Sequence, residues 1–172
     1  MRCKSFQIKM MLAAMTTLLC LAAAPVSAQA ANANGPVLAV NGKVETVGSD
    51  QSIDFDLAAL EAMPKTEYQT STPWTEGVAR FEGVRLSDLL KHVGATGQEV
   101  VATALNDYSV ALPIVDENGA DPLIAYKVNG QYMPIREKGP LWIVYPFDQS
   151  RELSSEKYFS RSIWQLNRLT VR

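Results

Sequence analysis

A run of three charged residues, Arg136, Glu137 and Lys138, precedes Gly139-Pro140 and a strongly apolar stretch at positions 141–145. The two cations could attract an anionic group, and the glycine allows a ligand to approach the backbone closely. The same loop could instead be plain solvated surface, with Glu137 partly neutralising its neighbours. We therefore predict that Arg136 and Lys138 bind a ligand, with a solvated surface loop as the alternative.

Two other segments carry side chains that could contact a ligand. Asp107 and Tyr108 lie in a turn, where an Asn-Asp pair also has a purely conformational explanation. Ser71 lies in a segment rich in threonine; a serine alkoxide can ligate a metal, whereas a strand hydroxyl more often bonds the nearby backbone. Trp74 follows it, although tryptophan more often belongs to a core than to a ligand site. The complete set of predicted ligand-binding residues is Ser71, Trp74, Asp107, Tyr108, Arg136 and Lys138.

Other kinds of chemistry are poorly represented in the sequence. Cys3 and Cys20 are the only cysteines and both lie near the amino terminus, and His92 is the only histidine, so a soft-ligand metal site is nearly excluded in the rest of the chain. No carboxylate pair or phosphate-binding loop indicates a catalytic centre, and we predict no catalytic and no metal-ligating residue. Residues 29–172 contain 13 basic and 18 acidic residues, a net charge of −5 that argues against binding to nucleic acid or anionic lipid.

The first 28 residues have the pattern of a secretory signal. Three basic residues precede an apolar run at positions 10–24, and Val26-Ser27-Ala28 is typical of a cleavage site. We predict that residues 1–28 are removed, that 29–36 form a disordered leader, and that the protein is periplasmic, with no membrane attachment after cleavage. An uncleaved membrane anchor is the alternative, which the shortness of the apolar run disfavours.

Residues 37–172 are predicted to form a single domain, since their number suits one hydrophobic core. Helical spacing indicates a helix at 57–63 capped by Asp56, a second helix over 86–93 ended by Gly94, and a short third helix after Ser154 or Ser155. Strand patterns occur at 37–40, 66–74, 99–115 as two strands, 122–135 as a strand and turn, 141–146 as a buried central strand, and 163–171. The mixture lacks a regular strand-helix-strand repeat, so it predicts an α+β fold with a mixed β-sheet and flanking helices.

Four segments occur in an order and spacing that resemble a known family. They are FEGVRLSDLLKHVGA, ALNDYSVALPI, PLIAYKVNGQYMPIREKGPLWIVYP and SIWQLNRLTV. Together they resemble the molybdopterin-binding domain of sulfite-oxidase-like oxidoreductases, over about residues 37–171. The resemblance implies that family's fold, in which loops between strands hold an anionic pterin, and it implies molybdopterin as the cofactor of the family's enzymes.

The chain departs from the family at three positions that the resemblance connects with the cofactor. Enzymes of the family hold molybdenum through a cysteine upstream of the second helix, where Ser71 is the best equivalent here. Family members also tend to carry an arginine after G-P-L and often a basic residue before the last tryptophan, where this chain has Trp142 and Ile163. Such enzymes are exported folded by a twin-arginine signal, and the amino terminus has no twin arginine.

These departures favour a divergent member without cofactor. We interpret the protein as a periplasmic binding module for a small anionic ligand or a protein partner. The alternative is a genuine molybdopterin-dependent oxidoreductase whose metal ligand is not cysteine.

Overall fold

The computed structural model describes residues 35–45 and 52–172. The predicted signal, most of the leader and the cleavage site therefore lie outside the described residues. The elements in chain order are β1 (Leu38–Gly42), β2 (Ile53–Phe55), α1 (Leu57–Glu61), β3 (Thr66–Ser71), β4 (Val78–Arg85), α2 (Leu86–His92), β5 (Glu99–Ala104), β6 (Ser109–Pro113), β7 (Leu123–Val128), β8 (Gln131–Tyr132), β9 (Trp142–Val144), a 3₁₀ turn (Phe147–Gln149), α3 (Glu156–Arg161) and β10 (Leu166–Val171). Strands with few, short helices agree with the predicted α+β class.

The strands form two five-stranded sheets rather than the single mixed sheet that we predicted. The first has the order β2-β1-β10-β5-β6, in which β1 and β10 are parallel and the other neighbours antiparallel. The second has the order β3-β4-β7-β8, with β9 also paired to β7, and all its pairs are antiparallel. Strand β10, at the end of the chain, is the centre of the first sheet.

Local capping chemistry places the first two helices close to their predicted positions. Asp56 caps α1, since its carboxylate accepts a hydrogen bond of 2.7 Å from the backbone N–H of Ala59. Gly94 follows α2 with a φ of +60°, the left-handed conformation that ends many helices. No helix in the described part of the chain is long and apolar enough to cross a membrane.

Strand β4 was not predicted, because it runs directly into α2 without a turn residue between them. Strand β1 extends two residues beyond the predicted end at 40: Asn41 and Gly42 both belong to it, and Gly42 is needed because a Cβ there would lie 2.1 Å from the carbonyl oxygen of Val171.

The buried side chains fill the space between the two sheets and the helices. Trp142, with 1% of its surface exposed, is the bulkiest of them, and β9 is buried as predicted. The prediction of a central strand is wrong, however, because β9 pairs only with β7, and its other side makes one isolated bridge, Trp142 to Trp164. That bridge brings the segment before β10 against the core.

Candidate functional site

A cavity of about 300 Å³ opens where the β5–β6 turn, α3 and the segment before β10 meet. Its volume lies at the lower end of the range of small-molecule sites. Its wall is mainly aromatic and apolar, and we call it the aromatic cleft. Prominent among its lining residues are Trp74, Asn106, Tyr108, Phe159, Ile163 and Trp164.

Edge-to-face contacts among tryptophans form the floor and one wall of the cleft. The ring of Trp74 lies 5.6 Å from that of Trp164, 5.9 Å from that of Phe159 and 5.9 Å from that of buried Trp142, measured between ring centroids. Trp164 is 38% exposed, so one ring of this cluster faces solvent while the others are anchored in the core. Such packing holds the aromatic surface in one orientation.

Hydrogen bonds fix the two segments that carry these rings. The hydroxyl of Thr72 accepts a hydrogen bond of 3.1 Å from the backbone N–H of Trp74. The indole N–H of Trp142 donates to the backbone carbonyl of Ser162 at 3.2 Å, and the backbone N–H of Ile143 donates to that of Ile163 at 2.9 Å. The cleft wall is therefore tied directly to β9.

The β5–β6 turn contributes Tyr108 but not Asp107 to the cleft. Asp107 adopts a φ of +64°, and the side-chain oxygen of Asn106 accepts a hydrogen bond of 3.2 Å from the backbone N–H of Tyr108. Tyr108 lines the cleft with 53% of its surface exposed. The carboxylate of Asp107 lies instead 3.7 Å from the guanidinium of Arg168, so its position is explained by turn geometry and a surface ion pair.

Residues 136–139, the charged loop, do not line the cleft, but they bring one cation close to a ring of its wall. The ammonium of Lys138 lies 5.8 Å from the ring centroid of Trp164 and 5.6 Å from that of Trp142. Gln165 holds this loop in place: its backbone N–H donates to the carbonyl of Lys138 at 2.9 Å, and its side-chain amide donates to that of Ile135 at 2.7 Å. Lys138 is therefore positioned to meet an anion that stacks on Trp164.

Arg136, the other cation of the charged loop, is exposed to solvent and has no tryptophan ring of the described residues within cation–π distance. It makes no ion pair with any residue that the structure describes, which leaves the solvated-surface alternative open for it. Gly139 has a steric role, because a Cβ there would lie 1.9 Å from the carbonyl oxygen of Met133. The glycine thus lets the loop fold back on the chain before it.

Ser71 ends β3 and is held by Asp148 in the 3₁₀ turn. The hydroxyl of Ser71 donates to one carboxylate oxygen at 2.5 Å, and its backbone N–H donates to the other at 2.6 Å. The backbone N–H of Asp148 donates to the hydroxyl of Thr70 at 3.1 Å. The hydrogen bonds from the Ser71 hydroxyl and then from its backbone lower the pKa of Asp148. Ser71 is not among the residues that line the aromatic cleft.

Ser71, Trp142 and Ile163, at the positions that the resemblance connects with the cofactor, do not fit the molybdenum centre that it implies. Within residues 35–45 and 52–172 no three His, Cys, Asp or Glu side chains come together to hold a metal ion. A Ser71 alkoxide would lie 2.5 Å from the Asp148 carboxylate, and like charges so close repel strongly. Where the family tends to have basic residues, Trp142 and Ile163 are 1% and 5% exposed and offer no charge to a phosphate.

Trp164 and Phe159 are the aromatic residues of the cleft that sequence reasoning missed as site residues. The sequence pattern places Trp164 in the closing strand 163–171 and Phe159 in the short third helix. The positive φ of Gln165, +53°, interrupts the alternation before β10, so the strand pattern could not show which way the preceding tryptophan faces.

Comparison with known families gives one finding. The model of the family described as oxidoreductase molybdopterin binding domain matches residues 35–150. This span runs from β1 to the 3₁₀ turn and includes the charged loop and the β5–β6 turn, whereas α3 and β10 lie beyond it. None of the curated proteins searched matches the chain.

Proposed function

Because the chain belongs to the oxidoreductase molybdopterin-binding domain family, we propose that it keeps that family's sulfite-oxidase-like fold and works as a binding module without the molybdenum cofactor. In this proposal the protein is secreted to the periplasm, and the aromatic cleft takes a small, flat anionic ligand. In this proposal the fold is that of the family, while the function differs from that of its enzymes.

The observation that carries this proposal is the pairing of Lys138 with Trp164. Trp164 offers a half-exposed aromatic face in the cleft, and the ammonium of Lys138 lies 5.8 Å from the centre of that ring. Among the described residues Lys138 has no carboxylate partner, so its charge is available to a ligand. A ring stacked on Trp164 with a carboxylate near Lys138 would gain both an aromatic contact and a charge-assisted hydrogen bond.

The proposal that the protein binds no molybdenum cofactor rests on which cations and hydrogen-bond donors are available to hold the pterin phosphate. A pterin phosphate needs cationic or N–H donors. At the positions where the resemblance implies basic residues, Ile163 has no polar side-chain group, and the indole N–H of Trp142 already donates to the carbonyl of Ser162. Burying an unpaired phosphate there would cost several kcal/mol.

A genuine oxidoreductase with a non-cysteine ligand is the alternative. It would need Ser71 as the metal ligand, and the two hydrogen bonds from Ser71 to Asp148 disfavour that role. The two functions differ in a measurable quantity, the molybdenum and pterin content of the purified protein.

A second candidate function is the binding of a periplasmic protein partner at the surface around Gln165. Leu105, Ile135 and Trp164 are exposed apolar residues close to Gln165: the backbone N–H of Leu105 donates to the carbonyl of Gln165 at 2.9 Å, and the Gln165 amide donates to that of Ile135. Apolar side chains exposed together often mark a protein interface. Cross-linking from this face in periplasmic extract would identify such a partner.

Calorimetric titration tests the small-ligand proposal directly. The probes are 2-naphthoate and its neutral match 2-naphthamide, which differ in charge but hardly in shape. We expect 2-naphthoate to bind more tightly, and Lys138→Ala to weaken its binding by roughly tenfold or more, as for the loss of a charge-assisted hydrogen bond. Trp164→Ala should weaken both probes.

Lys91→Ala is the matched control, because Lys91 is an exposed lysine on α2 that does not line the cleft. It should leave both affinities unchanged. Equal binding of the acid and the amide, or equal loss in Lys138→Ala and Lys91→Ala, would contradict the assignment of Lys138.

A further inference from the structure

A second cavity, of about 430 Å³, is lined by Ile135 and Pro140, the residues on either side of the charged loop in the sequence. It shares no lining residue with the aromatic cleft. Residues of both sheets contribute to its wall, which is mostly apolar. Asp54, Tyr126, Tyr132, Met133 and Asn167 are among its lining residues. Its volume and apolar wall are those of a small-molecule site.

Asn167 is the unusual member of this wall. In the pairing of β10 with β5, Leu166 faces Ala104 and Arg168 faces Thr103, so Asn167 is the extra residue of a β-bulge. Bulges turn a side chain in a direction that regular pairing does not allow, and they are common beside binding sites. Here the bulge puts the Asn167 side chain into a mostly apolar wall.

The carbonyl oxygen of the Asn167 side chain is buried without a hydrogen-bond donor. Less than 1 Å² of this atom is exposed, and no described residue donates to it. A buried acceptor without a donor costs free energy that an apolar side chain at the same place would not. The last bond of an asparagine side chain rotates over a broad range, so a small turn would present this oxygen to a molecule in the cavity.

We propose that the second cavity binds a small uncharged aromatic molecule that carries one N–H or O–H donor, and that Asn167 accepts this hydrogen bond. The rings of Tyr126 and Tyr132, and the Met133 thioether, suit an aromatic body. Asp54 is the charged residue in the lining, so an anion is disfavoured. The ligand class therefore differs from that of the aromatic cleft, and the inference does not depend on the function proposed for it.

Indole and 1-methylindole form a matched pair of probes, since they share a ring and differ in the single N–H donor. Titrations would use the protein purified after expression of the full chain, followed by calorimetry and by the NMR signal of the Asn167 side-chain amide. We expect indole to bind at least about tenfold more tightly than 1-methylindole, as for the loss of one hydrogen bond to a buried acceptor. Indole should also shift the Asn167 amide signal.

Three variants locate the effect. Asn167→Leu removes the acceptor at similar size and should bring the two affinities to within about twofold of each other. Asn41→Leu is the control: the side-chain oxygen of Asn41 is also buried without a donor among the described residues, but Asn41 does not line the cavity, so the preference for indole should persist. Lys91→Ala, outside both cavities, should also leave indole binding unchanged.

Some outcomes would overturn the proposal even if Asn167→Leu failed to fold. Equal affinity of the wild type for indole and 1-methylindole would show that no ligand donor reaches Asn167, as when a resident water satisfies it. Absence of indole binding at millimolar concentration would exclude this ligand class. Loss of indole binding in Trp164→Ala would place the ligand in the aromatic cleft instead.

Discussion

Replacing Trp142 with alanine tests how the aromatic cleft is built on the core. Trp142 is 1% exposed, packs edge-to-face against Phe81 at 5.3 Å and Trp74 at 5.9 Å between centroids, and donates its indole N–H to the carbonyl of Ser162. The substitution would leave a large cavity beneath β9 and would remove the buried ring beneath Trp164.

The size of the expected effect follows from these contacts. Truncation of a buried tryptophan to alanine costs about 3–5 kcal/mol, because the transfer term and the cavity term add. The carbonyl of Ser162 would also lose its donor, which places the effect toward the upper part of that range. For a domain of about 140 residues, an entropy of unfolding of roughly 0.3 kcal/mol per kelvin converts this loss to a fall in Tm of about 10–17 °C.

Chemical and thermal denaturation monitored by circular dichroism would measure the loss. Trp142→Phe is an informative control, because it keeps an aromatic ring but removes the N–H; it should cost less than the alanine variant. Tyr108→Ala, at an exposed position in the cleft, should change stability by less than about 1 kcal/mol. A loss of under about 1 kcal/mol in Trp142→Ala would refute the conclusion that this ring supports the cleft.

Three further predictions concern export, acid stability and the charged loop. Intact-mass measurement of periplasmic protein should give an amino terminus at Gln29, whereas a retained Met1 would contradict secretion by cleavage. Burial alone would raise the pKa of Asp116, but hydrogen bonds from Tyr158 and the backbone, with the charge of Arg161, outweigh it and lower that pKa. The contribution of Asp116 to stability should therefore be complete above about pH 4, the pKa of an aspartate in the unfolded chain, and be lost as the pH falls through the folded pKa. Asp116→Asn should cost about 3–5 kcal/mol of stability at neutral pH and should make stability depend less on pH in acid. An unchanged dependence of stability on pH below about pH 4 would contradict the role of Asp116. Arg136→Ala with Lys138→Ala should weaken anion binding without unfolding the domain, and unchanged affinity would make the whole loop solvated surface.

Short-range chemistry explains what could be predicted from the sequence. Asp56 and Gly94 mark helix ends through contacts within one turn, so α1 and α2 were placed within two residues of their observed ends. Continuous apolar character predicted the burial of β9 correctly. Its place in the sheet depends on which distant strands pair with it, and no local pattern contains that information.

Long-range contacts explain what was missed in the site. Ser71 meets Asp148, which lies 77 residues away in the sequence, so the hydrogen bonds that engage its hydroxyl could not be inferred from neighbouring residues. Trp164 belongs to the predicted strand 163–171, and its partial exposure follows from the bridge to Trp142 and the irregular backbone at Gln165. Tyr108 and Trp74 were predicted as site residues and do share one cavity; whether they bind a ligand remains a prediction.

The molybdenum and pterin content of the purified protein tests the central proposal most directly. The protein would be expressed with its own amino terminus and analysed by elemental analysis and by pterin fluorescence after release of any cofactor. We predict background molybdenum and no pterin. The Ser71 hydroxyl already donates a hydrogen bond to Asp148, and the side chains of Trp142 and Ile163 carry no charge to hold a phosphate. Close to one molybdenum per chain would contradict this account and would make the protein a cofactor-bearing oxidoreductase.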